Sequence, residues 1–206
     1  MNKYVITIGR QFGSGGREIG KLVADRLNIA YYDKELLIEA ARTSGVDSGI
    51  FEAADERSPR FFANLWPFGQ GYSSGSYFMG NTPLTNDSIY RAQSEVMMQL
   101  ADRGPCVIVG RTADYVLRDY CRVFSIFIHA NIEDRIQRII SRGDSKNEED
   151  AKQLADKKNK LRAEYYNFYT DKTWGASESY ELSINSSILG CQRTAEFIAN
   201  YISDLI

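Results

Sequence analysis

The sequence is poor in the residues that build disulfide frameworks and metal sites. Its 206 residues include three cysteines and one histidine, and Cys106, Cys121 and Cys191 lie far apart in the chain. An odd and widely spaced set of cysteines predicts buried thiols in a reducing compartment, and it argues against structural disulfides and zinc. The single histidine argues against a Ser-His-Asp hydrolase. We therefore expect a cytoplasmic protein.

Long apolar runs and a strong excess of one charge are also missing. No apolar run approaches the roughly 20 residues that cross a bilayer, and the N-terminus leads into a predicted strand without a secretory signal pattern. The formal net charge of -2 argues against a general nucleic-acid binder. We expect neither membrane nor nucleic-acid partners. With 43% hydrophobic residues, the chain can bury the core of a single domain over residues 1–206.

Glycine is concentrated in one stretch near the N-terminus. Residues 9–20 read Gly-Arg-Gln-Phe-Gly-Ser-Gly-Gly-Arg-Glu-Ile-Gly, between an apolar run at 4–8 and an amphipathic segment bearing Ile19 and Val23. The run is typical of a buried parallel strand and the segment of a helix. A loop at this junction presents the unpaired N–H groups of a helix N-terminus, which bind anions. The stretch predicts a phosphate-binding loop, and a glycine-rich turn without a ligand is the alternative.

The loop does not complete three common glycine motifs. Glu18 stands where a dinucleotide fingerprint needs its third glycine. Phe12 stands where a nucleophile elbow around Ser14 needs its first glycine. A Walker A loop needs Lys and then Ser or Thr after its last glycine, whereas this chain has Gly16 and Arg17. The match to a Walker A loop is therefore partial.

Strand and helix patterns alternate along the rest of the chain. Further strands are predicted at 29–32, 106–109, 123–128 and 180–184. Helices are predicted at 34–43, at 47–57, from a cap at Asp87, from a cap at Asn131, through 147–169 and at 191–205. This alternation predicts an α/β sheet of mainly parallel strands flanked by helices. Residues 58–85 are aromatic and Gly/Ser-rich without periodicity, and they predict either a mobile or inserted arm or a packed aromatic patch.

Several charged residues occupy positions that suit phosphate binding. Arg111 follows a predicted buried strand, at the sheet edge where α/β proteins hold ligands, and it is either a phosphate clamp or the partner of Asp114. Arg135 and Arg138 lie one turn apart on one helix face, and two guanidinium groups suit phosphoryl oxygens. A solvated helix face is the alternative for this pair. Asp33 either caps the next predicted helix or contacts a ligand.

Taken in order, these segments resemble the cytidylate kinase-like branch of the P-loop nucleoside monophosphate kinases. The segments that carry the resemblance are the loop at 9–18, Tyr-Asp-Lys-Glu-Leu-Leu at 32–37, Val-Ile-Val-Gly-Arg at 107–111, Glu-Asp-Arg-Ile-Gln-Arg at 133–138, Arg162, and the last strand and its turn at 180–187. The resemblance implies a P-loop-type three-layer sandwich with a monophosphate-binding insertion and a helical lid at 143–172.

The resemblance also implies transfer of the γ-phosphoryl group of ATP, with Mg²⁺, to a nucleoside monophosphate, with CMP or dCMP as the default acceptor. The residues implied to hold the donor phosphates are Arg10, Gly13, Ser14, Gly15, Gly16, Arg17 and Glu18. The residues implied to hold the acceptor are Arg111 and Asp33. The residues implied to act on the transferring group are Arg17, Arg111, Arg135, Arg138 and Arg162. No magnesium ligand is assigned.

The sequence departs from this family at the loop. Gly16 stands where well-studied members carry the lysine, and we expect Arg17 or Arg10 to supply the missing charge. Val109 replaces an acidic residue before the Gly-Arg pair, and Asn185 stands where cytidylate kinases have Asp. Two functions follow: a kinase for a nucleotide or another small phosphate acceptor, or a nucleotide-binding or regulatory module without turnover. We expect a monomer or a homodimer.

Overall fold

The computed structural model of the chain describes residues 3–33 and 86–206. In chain order its elements are β1 (Tyr4–Arg10), α1 (Gly16–Leu27), β2 (Ala30–Tyr32), α2 (Asn86–Arg103), β3 (Cys106–Val109), α3 (Ala113–Val116), β4 (Arg122–His129), α4 (Ile132–Ser141), α5 (Glu148–Tyr169), a 3₁₀ turn (Ser177–Ser179), β5 (Leu182–Asn185) and α6 (Ser186–Ser203). The helices predicted at 34–43 and 47–57, the monophosphate-binding insertion and the arm at 58–85 lie outside the described residues.

The described strands form one parallel sheet in the order β2-β3-β1-β4-β5. β1 lies at its centre, where Ile6 is in register with Val107 of β3 and with Phe124 of β4. Parallel neighbours require long crossover connections, which here contain helices, and these helices cover both faces of the sheet. The predicted three-layer α/β fold is confirmed.

One face of the sheet packs against α1 and α6. Ile6 and Ile8 of β1 meet Ile19 and Val23 of α1, and Ile198 of α6 belongs to the same buried cluster. These side chains are fully buried, and burying each contributes about 1.5–3 kcal/mol relative to exposure. This layer fixes the start of α1 against the end of β1, where the glycine-rich loop lies.

The opposite face packs against α2 and α3. Val5 of β1 and Ile108 of β3 lie in a cluster with Leu100 of α2 and Ala113 of α3. Successive residues of β1 therefore enter different layers, as the two-residue period of a strand requires. The continuous apolar run of β1 follows from burial on both faces.

A crevice opens at the carboxyl ends of β1 and β3. The two strands are neighbours in the sheet, but β1 leads to α1 on one face and β3 leads to α3 on the other. The loops that leave them diverge, and this is the switch point where open α/β sheets bind ligands. The glycine-rich loop borders one side of the crevice, and Gly110 and Arg111 border the other.

Most elements lie within two residues of the predicted bounds, but two elements near the C-terminus and one helix cap differ in informative ways. The last strand begins at Leu182 instead of 180, because the Tyr180 ring packs against Phe127 outside the strand. The last helix begins at Ser186 instead of 191, and it contains a kink at Gly190, where φ is 70°. Asn131 occupies the predicted N-cap position of α4, but its side chain does not cap the helix: its Oδ1 accepts a hydrogen bond of 3.0 Å from Asn185 Nδ2, which ties α4 to β5.

The start of α5 follows the prediction, and the prediction of buried thiols holds for one cysteine of three. Asn147 caps α5, since its Oδ1 accepts a hydrogen bond of 2.8 Å from Asp150 N. All three cysteines are free thiols, with Cys106 buried and Cys121 and Cys191 half-buried. No helix in the described part of the chain has the length and hydropathy to cross a lipid bilayer.

Candidate functional site

The loop between β1 and α1 contains glycines that no other residue can replace without movement. Gly13 and Gly15 have φ of 82° and 79°, in the left-handed region that L side chains avoid. A Cβ on Gly13 would lie 2.7 Å from the carbonyl oxygen of Arg135, and a Cβ on Gly15 would lie 2.6 Å from Cys191 Sγ. The loop therefore passes directly against α4 and α6.

Hydrogen bonds fix the loop from inside. Gln11 N donates to Ile128 O at 3.0 Å, which continues the β1–β4 pairing. Ser14 Oγ donates to Gln11 O at 2.9 Å, and Ser186 Oγ donates to Ser14 O at 2.7 Å. Ser14 and Ser186 are fully buried. The loop conformation is thus set by buried bonds to β4 and α6.

Helix α4 holds two carbonyl groups of the loop. Arg135 Nε donates to Phe12 O at 2.9 Å, and Arg138 Nη1 donates to Gly13 O at 2.7 Å. The predicted helix face with Arg135 and Arg138 therefore meets the loop and is not simply a solvated face. Its closure over a transferring group stays a prediction.

Helix α5 holds the loop from the next side. Asn159 Oδ1 accepts a hydrogen bond of 2.7 Å from Phe12 N, and Arg162 Nη1 donates to Arg10 O at 3.0 Å. The Phe12 ring packs in the α4–α5 cluster, with the guanidinium carbons of Arg142 and Arg162 at 5.3 and 5.5 Å from its centre. Helices α4 and α5 and the loop therefore form one packed unit.

The outward carbonyl bonds leave loop N–H groups available for a ligand. Across residues 3–33 and 86–206, the N–H groups of Gly13, Gly15 and Gly16 form no hydrogen bond. These donors lie at the N-terminus of α1, where the helix dipole favours negative charge. A phosphate group satisfies both features.

Arg135 brings a buried cation to the loop. The residue is 6% exposed, and its Nη2 has no hydrogen-bond partner within the described residues. Burial lowers the pKa of the guanidinium, and Asp156 opposes that shift. A buried guanidinium with a free donor is stabilised by an anion bound beside it.

The turn after β3 has an unusual backbone. Gly110, Arg111 and Thr112 have φ of 82°, 63° and 54° in succession. A non-glycine residue at positive φ costs of order 1–3 kcal/mol, and such strain concentrates at functional sites. Thr112 is buried, and its Oγ1 lies 3.1 Å from the Tyr90 hydroxyl, which fixes the turn against α2.

Aromatic side chains from α2 and α5 lie beside Arg111. Burial raises the pKa of the Tyr165 hydroxyl, and the charge of Arg111 opposes the shift. Tyr165 donates to Gln93 Oε1 at 3.0 Å, and the rings of Tyr90 and Tyr169 stack with centroids 4.1 Å apart. The second border of the crevice therefore combines a cation with aromatic surfaces.

Asp114 is used elsewhere in the structure. Its carboxylate accepts a hydrogen bond of 2.7 Å from the Tyr166 hydroxyl and lies 3.9 Å from Lys172 Nζ. This arrangement does not support the alternative in which Asp114 serves mainly to pair with Arg111. The phosphate-clamp prediction for Arg111 remains.

Arg17 and Asp33 lie together at the start of α1. Arg17 Nε is 3.6 Å from Asp33 Oδ2, with side-chain exposures of 57% and 13%. Tyr31 Oη donates to Arg17 O at 3.2 Å. Burial is the main cause that raises the pKa of the Tyr31 hydroxyl, and the charge of the Asp33 carboxylate raises it further. The helix that Asp33 was predicted to cap lies outside the described residues. Glu18 is exposed in the first turn of α1.

Two loop-holding residues escaped the sequence predictions. Asn159 lies in a strongly charged helix, where one more polar residue gives no signal. Ser186 follows the last strand and resembles any helix-starting serine. Their contacts with the loop join residues 147 and 172 positions apart in sequence, so only the tertiary structure shows them.

Comparison with known protein families agrees with this geometry. The model of the cytidylate kinase-like family matches residues 5–188. The chain belongs to the cytidylate kinase-like family. The match includes the loop, the Gly110-Arg111 turn and helices α4 and α5, so the resemblance seen in the sequence is confirmed. Comparison with the curated proteins gives no match.

Solved structures similar to this cytidylate kinase-like chain share its fold. An uncharacterized protein from Eubacterium ventriosum is 26% identical, with a TM-score of 0.70 over 97% of this chain and 98% of that chain. Shikimate kinase from Acinetobacter baumannii, in complex with shikimate, is 14% identical, with a TM-score of 0.52 over 99% and 94% of the two chains. APS kinase from Mycobacterium tuberculosis, in complex with AMPPNP and APS, is 16% identical, with a TM-score of 0.51 over 98% of each chain. The fold is that of the P-loop kinases.

Proposed function

We propose that this protein transfers the γ-phosphoryl group of ATP to a small phosphate-bearing acceptor, with CMP or dCMP as the first acceptors to test. The main support is the conformation of the loop at the switch point of the sheet. Arg135 and Arg138 of α4 bind its carbonyl groups, while the N–H groups of Gly13, Gly15 and Gly16 remain available for a ligand. A polyphosphate is the ligand that this set of donors fits.

The two borders of the crevice support separate sites for donor and acceptor. The loop and α1 would hold the phosphates of ATP. Arg111 would hold the phosphate of the acceptor, and the aromatic rings beside it suit a flat base. Asp33 lies within reach of Arg17 at the edge of the loop, where a polar group of the acceptor could bind.

Phosphoryl transfer requires positioning and charge neutralisation more than covalent chemistry from the protein. Arg135 offers a buried donor beside the loop, while Arg138 and Arg162 hold loop carbonyls. In this proposal Arg135 neutralises charge on the transferring group. The packed lid helices exclude the water that would otherwise hydrolyse ATP.

Magnesium would enter this site with ATP. The described residues contain no group of three or more His, Cys, Asp or Glu side chains arranged around a metal site. Mg²⁺ commonly takes one or two carboxylates together with phosphate oxygens and water. Glu18 in the first turn of α1, and Asp33 beside Arg17, are carboxylates near the loop that would fit this pattern.

A second function is favoured by one observation. Gly16 replaces the lysine of a Walker A loop, and its loss suits a nucleotide-binding or regulatory module without turnover. This function predicts saturable ATP binding and no product with any acceptor.

The test is a coupled ADP-release assay with MgATP against nucleoside monophosphates and other small phosphate acceptors. ADP release that requires one acceptor supports the kinase and identifies its substrate class. ATP binding without release across the panel supports the binding module. Gly13→Ala should abolish either signal, whereas Gly143→Ala, in a turn with open space around it, should retain it.

A further inference from the structure

We infer that Arg10 supplies the positive charge that lysine supplies in a Walker A loop, and that position 16 is glycine because the Arg10 side chain occupies its space. The inference rests on the proposed function, because it concerns how the same loop binds ATP. If it holds, the loop has kept its positive charge, because Arg10 replaces the lysine that is missing at position 16. Three observations carry it.

The first observation is the contact between the Arg10 stem and Gly16. A Cβ on Gly16 would lie 2.5 Å from Arg10 Cβ and 3.0 Å from Arg10 Cγ. Real Cβ atoms are not found so close to other carbon atoms, so a lysine could not begin at position 16 while Arg10 is present. The two positions are therefore coupled: a cation can enter the site from one or the other.

The second observation is the position of the Arg10 guanidinium. Its Nη1 and Cζ lie where a side chain on Gly110 would begin, with Cζ 3.1 Å from the position of a Cβ on that residue. The charge also acts on Tyr31, where it opposes the rise in the hydroxyl pKa. The guanidinium thus lies between the carboxyl ends of β1 and β3, in the crevice where donor and acceptor meet in the proposed function.

The third observation is that the main chain of Arg10 is fixed. Arg10 is the last residue of β1 and pairs in register with Ile128 of β4. Its carbonyl oxygen accepts a hydrogen bond of 3.0 Å from Arg162 Nη1. The strand and the lid helix together hold the Cβ against Gly16, so the direction of the stem is set by the fold.

Arg17 is the other cation that could replace the lysine, and its position fits less well. Its side chain is 57% exposed, and its Nε is 3.6 Å from the Asp33 carboxylate. The Arg17 cation therefore already has a carboxylate partner, and its exposed side chain is screened by water. Arg10 is half-buried and lies inside the crevice, where a charge acts more strongly on a phosphate.

The chemistry of the exchange is specific. The Walker A lysine reaches the β- and γ-phosphates as a compact charge. A guanidinium group can donate two parallel hydrogen bonds to phosphoryl oxygens and stays charged at every physiological pH. Arg10 would therefore bind the terminal phosphates of ATP from the β1 side, whereas a lysine approaches from α1.

The charge is tested with Arg10→Met, which keeps most of the stem and removes the cation. We expect kcat/KM for MgATP to fall on the order of 100-fold, as when one preorganised donor to a transition state is removed. The fall in kcat/KM caused by Arg17→Met should be at least ten times smaller than that caused by Arg10→Met. Arg26→Met, on the exposed last turn of α1, should match the native protein. Activity of Arg10→Met within threefold of native would overturn the inference.

The shared space is tested by a double-mutant cycle between positions 10 and 16. Gly16→Ala should destabilise the native protein because of the contact with Arg10, and the loss should disappear in an Arg10→Gly background. Urea denaturation measures both changes. An equal loss in both backgrounds would overturn the shared-space part of the inference. The double variant Arg10→Gly with Gly16→Lys should exceed Arg10→Gly in activity at least tenfold, and no gain would count against the inference.

Failure of the inference and failure of the proposed function give different results. If the native protein shows turnover and Arg10→Met keeps it, the inference alone fails. If no acceptor supports turnover but ATP binds, the kinase proposal fails and calorimetry tests the inference. Arg10→Met should then weaken the binding of ATP at least tenfold and the binding of adenosine less than twofold. Equal effects on ATP and adenosine would overturn the inference.

Discussion

At the residue scale, two separate features require glycine at position 13: the backbone has a positive φ, and there is no room for a Cβ. We expect Gly13→Ala to lower the free energy of unfolding by more than the 1–2 kcal/mol of a left-handed residue, because its Cβ would meet the Arg135 carbonyl oxygen at 2.7 Å. ATP binding should be lost as the loop moves. Denaturant unfolding and calorimetry measure the two effects.

The matched control is Gly143→Ala. Gly143 has φ of 77°, close to that of Gly13, but no atom within 4 Å of a Cβ. This substitution should therefore carry only the backbone cost and leave ATP affinity unchanged. Native-like ATP affinity in Gly13→Ala would contradict the assignment of the loop.

Asp114 gives a pH-dependent prediction. Burial raises the pKa of its carboxyl group, while Tyr166 and Lys172 oppose the rise. The folded protein therefore holds this proton at a higher pH than the unfolded chain, so the contribution of this group to the free energy of unfolding is present at low pH. It is lost as pH rises from about 4 through the folded-state pKa.

Asp114→Asn removes this titration. We expect the free energy of unfolding of Asp114→Asn, relative to that of the native protein, to increase between pH 4 and pH 7. Urea denaturation at intervals of one pH unit measures the difference. A difference that stays constant or decreases with pH would show that the Tyr166 bond and Lys172 outweigh burial.

At the scale of elements, the conformation of the glycine-rich loop depends on α4. Arg138 donates to the Gly13 carbonyl at 2.7 Å, and this bond orients the peptide whose neighbours offer N–H groups to a ligand. A hydrogen bond from a charged donor contributes about 1.5–3 kcal/mol. We therefore expect Arg138→Met to weaken ATP binding by roughly tenfold or more while the protein stays folded.

Arg142→Met is the control on the same helix. Arg142 forms an exposed ion pair with Asp144 across the turn after α4. Exposed pairs contribute little, and methionine keeps an apolar contact with the Phe12 ring, so ATP affinity should change less than twofold. If both variants weaken ATP binding equally, the total positive charge near α4 determines the affinity and the hydrogen bond to Gly13 does not. Calorimetry with ATP separates the two cases.

At the scale of the whole molecule, we predict that residues 1–206 unfold as one domain. The two faces of the sheet pack against helices, and α5 packs against β4 through Phe127, Tyr166 and Trp174. The sequence contains two tryptophans. Trp66→Phe leaves Trp174, whose ring lies 5.2 Å from that of Phe127, as a reporter of the packing between the sheet and the lid.

The measurement is denaturant unfolding of Trp66→Phe followed by fluorescence and by far-UV circular dichroism. One domain predicts coincident transitions with the same midpoint. A fluorescence midpoint below the circular dichroism midpoint would mean that the lid separates before the sheet unfolds. The circular dichroism midpoint of the native protein, measured in parallel, shows whether the substitution itself changes stability.

Much of the fold was predictable because its signals are local. The run at 106–109 is apolar throughout, as a strand buried on both faces requires, and β3 has those bounds. The glycines at 13 and 15 predicted a loop against a helix N-terminus, and both have positive φ. The end of the chain was harder to predict, since the kink at Gly190 hides the first turn of α6 from a helical pattern.

The candidate site was predictable only in part. The sequence identified Arg135 and Arg138 as a pair on one helix face, but a guanidinium that holds a carbonyl group and one that faces solvent look alike in a sequence. Asn131 shows the same limit, because its side chain bonds Asn185 across the sheet edge instead of capping its own helix. Such partners are distant in sequence, so no local pattern reports them.

The sequence by itself determined the alternation of strands and helices, the position of the glycine loop and the cations available to it. Hydrophobic periodicity and glycine conformation are local properties, and they suffice for these conclusions. The tertiary structure decided which cation reaches the crevice. Arg10 and Gly16 are six positions apart, and only the register of β1 against β4 and the packing of α1 against the sheet place the Arg10 stem over Gly16.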